Sequence, residues 1–177
     1  MVLKPSAILA FAFALFPALN STSAAPKFPP VTGFDLSKYL GKWYEIARFP
    51  AWFEKDLVNV TATYSLRSDG KVKVLNEGYK KSKDGKHSVA VGKAKLASSP
   101  DTGYLKVSFF GPFYADYIIL DLDKENYQYA LVASSYEYLW ILSREPKMDP
   151  DVYGRLVEKA KSLGFNMEKL YVVPQNW

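Results

Sequence analysis

Eight short segments in which apolar and polar residues alternate follow one another between residues 41 and 144. Such alternation places successive side chains on opposite faces of a strand. Turn sequences at residues 68–70, 83–85 and 98–101 separate several of the segments. The pattern predicts an all-β fold, an eight-stranded antiparallel up-and-down β-barrel. A β-sandwich is the alternative, but it requires long crossovers that we do not find. The predicted strands are residues 41–49, 58–66, 71–79, 89–96, 104–110, 115–121, 127–134 and 138–144.

A single α-helix is predicted after the last strand of the barrel. Asp149 suits the N-cap, Pro150 the first helical position and Gly164 the end. An apolar stripe at helical spacing predicts that this helix packs on the outside of the barrel, and residues 170–173 could add a short strand. The stripe consists of Val152, Leu156, Ala160 and Leu163.

The first 24 residues have the composition of a secretory signal peptide. Lys4 gives a positive start, residues 7–16 are continuously apolar, and small residues follow at positions 21–25. This run is too short to span a membrane comfortably. We therefore expect export, with a signal peptide at residues 1–24, a Pro-rich linker at 25–33 and one domain at 34–177.

The residue types needed for common catalytic and metal sites are scarce. The chain has no cysteine, and its one histidine, His87, lies in a lysine-rich turn. Common zinc sites and Cys/His nucleophiles need more of these residues, and no Gly-rich phosphate loop is present. We therefore expect a binding protein with no catalytic residue, no metal and no cofactor.

The charge of the chain is positive but spread out. Its formal value is +5, and the one cluster, at residues 80–86, is interpreted as a solvated turn. Aromatic residues do not alternate through this cluster, so we expect no nucleic-acid partner. Contact with an anionic membrane is the alternative. An aromatic set could dock a membrane or pair two subunits as a homodimer, namely Trp52, Phe53, Phe113 and Tyr114.

The strand that begins at Gly41 organises the predicted barrel. Gly41 permits a tight turn, Trp43 supplies a large plug for one end, and Arg144 could lie across its indole. Alternation then gives an inward set that is mostly apolar or aromatic, which suits an acyl chain. Glu45 and Asn76 are polar exceptions that contact either a head group or an internal partner. The predicted cavity wall is Glu45, Ala47, Tyr64, Val74, Asn76, Ala94, Val107, Phe109, Tyr117, Tyr138 and Trp140.

Several segments together resemble one family. Gly41-Lys42-Trp43, Asp116-Tyr117 and Arg144 look like the three conserved blocks of the lipocalins, and residues 60–66, 106–114 and 138–144 extend the match. Within that family the chain is most similar to the bacterial Blc group and more distantly to apolipoprotein D.

The resemblance implies that the barrel binds, stores or transports a lysophospholipid or fatty acid, with a role in membrane maintenance. A lipocalin-fold enzyme and a haem or tetrapyrrole carrier are the alternatives. The best-known bacterial members are lipoproteins anchored through a lipidated cysteine, and this sequence contains none. We therefore expect a periplasmic or secreted protein that is not lipid-anchored and that could still associate with the outer membrane.

Overall fold

The computed structural model describes residues 25–177, so the predicted signal peptide lies outside the described residues. Eight antiparallel strands each pair with the next along the chain, and β1 pairs with both β8 and β2. The predicted closed up-and-down barrel is therefore confirmed. The elements are α1 (Leu36–Tyr39), β1 (Gly41–Arg48), β2 (Leu57–Leu66), β3 (Val72–Lys80), β4 (His87–Leu96), β5 (Tyr104–Phe110), β6 (Phe113–Leu122), β7 (Tyr129–Ser135), β8 (Tyr138–Ser143), α2 (Pro150–Ser162) and β9 (Tyr171–Val172).

The helix α2 packs on the outer face of the barrel, as its apolar stripe predicts. The Asp149 side chain caps it by accepting two backbone N–H groups of the first turn. Leu156 and Ala160 are fully buried against outward-facing strand residues such as Ile118 and Ile141. No helix within residues 25–177 is long and apolar enough to cross a membrane.

The segment before the barrel, which we expected to be a linker, packs along it. Phe28 is buried, and its ring lies 5.0 Å from that of Phe165. The backbone N–H of Val31 donates to the carbonyl of Ile119 at 2.8 Å. These contacts fasten the start of the described chain to the outer wall.

A β-bulge in β1 changes which side chains face inward. The pairing with β8 shifts from Glu45 opposite Leu142 to Ala47 opposite Ile141. The extra residue lets Ile46 and Ala47 both pack into the outer cluster beneath α2. The prediction that Ala47 faces inward assumed regular alternation along the whole of β1, and it is therefore wrong.

The C-terminal tail completes the barrel wall between β1 and β2. These strands pair directly only through residues 41–44 of β1, and the tail enters where they separate. The backbone N–H of Val173 donates to Ile46 at 2.9 Å, and that of Asn59 donates to Pro174 at 2.8 Å. The Gln175 side chain joins both strands by donating to the carbonyls of Glu45 and Val60, at 2.8 and 3.0 Å.

The closed end of the barrel is sealed by Trp43 and by α1. Trp43 is fully buried, and its indole N–H donates to the carbonyl of Tyr39 at 2.8 Å. Arg144 donates to the carbonyls of Lys38 and Leu40, the orphan acceptors where α1 ends. Gly41 has a φ of +97°, and a Cβ there would lie 3.2 Å from Arg144 Nη1. A glycine therefore suits this position in both backbone angle and space.

Candidate functional site

A cavity of about 50 Å³ lies inside the barrel, between the closed end and the mouth. One water molecule occupies roughly 30 Å³ of liquid, so this space is small as it stands. Apolar and aromatic side chains form most of the wall, as expected for a site that takes a hydrophobic ligand. The residues that line it are Glu45, Phe53, Glu54, Ala62, Tyr64, Val74, Asn76, Val107, Phe109, Asp116, Tyr117, Trp140 and Leu142.

Three tyrosine hydroxyls form a chain at the floor of the cavity. The Tyr117 hydroxyl lies 2.7 Å from that of Tyr39 and 2.8 Å from that of Tyr64. Burial raises the pKa of each of these phenols, so all three stay neutral. Tyr39 was not predicted because it belongs to α1, outside the strand alternation. The floor can therefore exchange hydrogen bonds with a polar atom but carries no charge.

Near the mouth, one buried arginine lies between two buried glutamates. Arg48 Nη1 donates to Glu45 Oε1, and Arg48 Nη2 donates to the backbone carbonyl of Glu54 at 2.6 Å. Arg48 Nε lies 3.6 Å from Glu54 Oε2 and makes no hydrogen bond. Arg48 is 3% exposed and Glu54 2%. The bulge in β1 is what turns Arg48 towards these carboxyl groups.

The two glutamates differ in how well the guanidinium compensates their charge. The pKa of Glu54 is raised to about 8, chiefly by burial and then by the neighbouring Glu45, while Arg48 and the hydrogen bond from Trp140 only partly oppose these effects. Burial also raises the pKa of Glu45, although the positive charge of Arg48 and its direct hydrogen bond act to lower it. At neutral pH Glu54 is therefore mostly protonated, because one guanidinium cannot compensate two buried carboxylates.

An aromatic row closes the mouth above these groups. The Phe53 ring lies 5.9 Å from that of Tyr138, which lies 6.2 Å from the Trp140 ring in a nearly parallel stack. The Trp140 indole N–H reaches Glu54 Oε2 at 3.4 Å. Phe53 is buried, so the expectation that it belongs to an exposed aromatic set is wrong. We call residues 49–56 the lid loop.

A surface cleft of about 360 Å³ lies on the other side of the lid loop. Glu54 lines both this cleft and the interior cavity, whereas Arg48 lines the cleft alone. Glu54 and its loop are therefore the partition between outside and inside. Sequence reasoning missed Glu54 because it lies in a loop, where no strand alternation assigns a direction.

Most predicted wall residues line the cavity, and three do not. Ala47 packs outside the barrel for the reason given above. Ala94 is buried in the interior core beside Val72 without bordering the cavity. Tyr138 lies in the aromatic row. Those at the cavity are Glu45, Tyr64, Val74, Asn76, Val107, Phe109, Tyr117 and Trp140.

Asp116, predicted as part of a structural motif, also borders the cavity. Its carboxylate accepts hydrogen bonds from Lys106 Nζ at 2.7 Å and from the Tyr104 hydroxyl at 2.8 Å. Its charge is thus paired with a lysine of the neighbouring strand. Within residues 25–177 no group of three or more histidine or acidic residues is placed to hold a metal ion.

Residues 34–175 match the family model for the lipocalin-like domain. The chain belongs to the lipocalin-like family. It is 48% identical over 159 residues to the outer membrane lipoprotein Blc of Vibrio cholerae, which covers 89% of this chain and 92% of that protein. It is 36% identical over 156 residues to apolipoprotein D of Mus musculus, covering 83% and 80% of the two chains.

The solved structures agree with the fold. Insecticyanin from the tobacco hornworm Manduca sexta superposes with a TM-score of 0.67 at 22% identity, covering 85% of each chain. The relatives are named as an outer membrane lipoprotein and an apolipoprotein, and neither name is that of an enzyme. The lipocalin barrel of this chain is accordingly a site for a small hydrophobic ligand.

Proposed function

We propose that this lipocalin binds a single-chain lipid, a lysophospholipid or a fatty acid, with its tail in the barrel. The observation that carries the proposal is the largely apolar cavity beneath an aromatic row, formed by Phe53 of the lid loop and by Tyr138 and Trp140 of β8. An acyl tail gains about 0.8 kcal/mol for each methylene removed from water. The width of an eight-stranded barrel favours one chain over two.

Ligand entry requires the lid loop to move, because the space of about 50 Å³ inside the barrel is too small for a tail. Displacing Phe53 opens the mouth. Displacing Glu54 with it joins the interior to the surface cleft of about 360 Å³. The head group then remains near the lid loop, in contact with water, while the tail runs towards the tyrosine floor.

The test is a titration of lysophospholipids, fatty acids and diacyl lipids, followed by tryptophan emission. Trp140 lines the cavity, so its emission should respond to a bound tail, and Trp140→Phe should weaken binding. We expect single-chain lipids to bind and diacyl lipids to bind poorly. Equal affinity for diacyl lipids, together with unchanged single-chain affinity in Trp140→Phe, would contradict the proposal.

We further propose that the mouth contacts an anionic membrane during ligand exchange. Trp52 of the lid loop is 60% exposed, and Phe113, the first residue of β6, is 58% exposed at the same mouth end. The exposed lysines of residues 81–86 lie in the β3–β4 loop at the same end. Exposed aromatic side chains next to basic ones suit the interface of an anionic bilayer.

Flotation with phosphatidylglycerol vesicles, with phosphatidylcholine vesicles for comparison, tests this contact. Phe113→Ser should reduce binding, and added salt should weaken it. Sedimentation analysis provides the competing outcome. If Phe113→Ser converts a dimer into a monomer and leaves vesicle binding unchanged, the aromatic loops form a homodimer interface instead.

We also propose that the protein is exported and acts in the cell envelope or outside the cell. Support comes from the signal-like first 24 residues and from relatives named outer membrane lipoproteins. Since the sequence has no cysteine, we propose no thioether-linked lipid anchor. N-terminal sequencing of the mature protein should begin at Ala25 or Pro26. An intact Met1, or membrane association that resists high salt and alkali, would contradict this.

A further inference from the structure

The charges around the cavity are one-sided. Glu45 and Glu54 both line it, and among the residues that line it none is a lysine or an arginine. Arg48 compensates part of this charge from the cleft side of the partition. A carboxylate head group inside the cavity would therefore lie beside two buried carboxyl groups, with no basic side chain in the cavity wall to pair with it.

The contacts of the two glutamates leave hydrogen-bonding capacity on each carboxyl group. Arg48 reaches Glu45 through Oε1, and both side-chain contacts of Glu54, from Arg48 and from Trp140, fall on Oε2. Glu54 Oε1 and Glu45 Oε2 take part in none of these contacts, and both are acceptors on residues that line the cavity once Glu54 is ionised. Their side chains are nine-tenths or more buried, so a charge placed beside them interacts strongly.

Aromatic rings surround the same space. Phe53 and Trp140 lie at the mouth beside Glu54, and Phe109 lines the opposite wall. An aromatic ring attracts a cation over its face, most strongly when both are removed from water. Rings combined with a buried carboxyl group are the chemistry that recognises an ammonium or quaternary ammonium group.

We propose that the lipocalin prefers single-chain amphiphiles whose head group carries a cationic nitrogen, and that Glu54 is the residue that determines this preference. The proposal rests on the proposed function, since it concerns the head group of a lipid held in the barrel. The nitrogen lies against Glu54 and the rings at the mouth, and the lid loop that carries Glu54 closes over it. Once Glu54 is ionised, above about pH 8, a free fatty acid meets the same groups with the wrong sign of charge.

Matched amphiphiles with one tail length test the preference. Dodecyltrimethylammonium, dodecanoate and uncharged dodecyl maltoside are titrated below their micelle concentrations, followed by calorimetry. Lauroyl lysophosphatidylcholine and lauroyl lysophosphatidic acid form a second pair that differs by the choline. At pH 9, where Glu54 is ionised, we expect the cationic or choline-bearing member to bind at least tenfold more tightly than the anionic member of its set.

Two variants test whether Glu54 determines the preference for a cationic head group. Glu54→Gln keeps the volume and the oxygen that Trp140 approaches, and it should reduce affinity for dodecyltrimethylammonium about tenfold with little change for dodecyl maltoside. Asp56→Asn is the matched control, because it removes an exposed carboxylate from the same loop and asparagine tolerates the local φ of 63°. It should leave the ratio of affinities unchanged.

A pH series on the unmodified protein is a second measurement that does not depend on a variant folding. The charged or titratable groups around Glu54 are Lys55 and Asp56 of the lid loop, Glu45 and Arg48 of β1, Tyr64 of β2 and Tyr171 of β9. A trimethylammonium head keeps its charge at every pH. Since burial raises the Glu54 pKa to about 8, roughly a tenth of the protein has this carboxylate ionised at pH 7. The affinity for dodecyltrimethylammonium should therefore rise about tenfold from pH 7 to pH 9.

The outcomes separate the two proposals. If no amphiphile binds in the barrel, the proposed function fails. If all bind equally, or dodecanoate binds most tightly, or Glu54→Gln changes nothing, only the head-group preference fails. Choline alone is the last arm, because it carries the head group without a tail. We expect choline to bind at least a hundredfold more weakly than dodecyltrimethylammonium. Equal affinity of the two would mean that the site is not a lipid site.

Discussion

The guanidinium of Arg144 lies flat over the indole of Trp43, with Cζ 3.9 Å from the ring centroid. The two residues are a hundred positions apart and meet only because β1 and β8 are neighbours in the barrel. Arg144 also donates to backbone carbonyls where α1 ends, so it connects the plug of the barrel to the helix that covers it. The sequence-based expectation of a cation–π contact at the closed end is confirmed.

Trp43→Ala should destabilise the fold by about 3–5 kcal/mol, because it removes a fully buried aromatic side chain. Arg144→Ala should cost less, on the order of 1–2 kcal/mol, through loss of the stacking contact. Urea unfolding followed by circular dichroism measures both. Arg155→Ala is the control, because Arg155 also lies over a ring, that of Tyr129, but its side chain is 48% exposed. Unchanged midpoints for Trp43→Ala and Arg144→Ala would refute the assigned role of the closed end.

Glu54 should make stability fall as the pH rises. Its pKa is about 8 in the folded protein and near 4.5 when the chain is unfolded, so the folded state binds more protons between these values. Stability from this group is therefore fully present below about pH 4.5 and is lost as the pH rises through 8. Melting temperatures of the native protein should decrease from pH 5 to pH 8.5. The melting temperature of Glu54→Gln should decrease less over the same range. A residual decrease remains because the pKa of Glu45 is also raised. Parallel curves for the two proteins would contradict the buried state of Glu54.

Gln175→Ala should destabilise the barrel by about 1–3 kcal/mol, because it leaves the carbonyls of Glu45 and Val60 without their donor. Thermal and urea unfolding measure this loss. Gln128→Ala is the matched control, since that side chain also donates to a carbonyl, that of Asn126, but in an exposed turn. If both variants lose equal stability, the tail is not what holds β1 to β2.

Phe53→Ala should speed the entry of ligand. The side chain closes the mouth by stacking on Tyr138, so its removal lowers the cost of opening the lid loop. Stopped-flow tryptophan fluorescence with a monomeric single-chain amphiphile should show an association rate several-fold higher. Lys55→Ala, an exposed change in the same loop, should leave the rate unaltered. An unchanged rate in Phe53→Ala would mean that the ligand does not enter past this ring.

The barrel, its strand order and the outer helix can all be predicted from the amino-acid sequence. These follow from local features, namely two-residue alternation, turn residues at short intervals and an N-cap before a helical stripe. The sequence also predicts Trp43 and Arg144 as partners at the closed end. Eight of the predicted wall residues, among them Tyr64 and Trp140, reach the cavity because regular strands preserve the alternation.

The features that depend on a break in that regularity became visible only in the folded chain. The bulge after Glu45 moves Ala47 outside and Arg48 towards the carboxyl groups, and one extra residue in a strand leaves no clear mark in composition. The lid loop buries Phe53 and Glu54 through contacts with β8 far along the chain. The tail buries Asn59, 2% exposed, and the backbone N–H of Asn176 donates to its side-chain oxygen. Each of these outcomes depends on which distant segments meet, and local spacing carries no information about that.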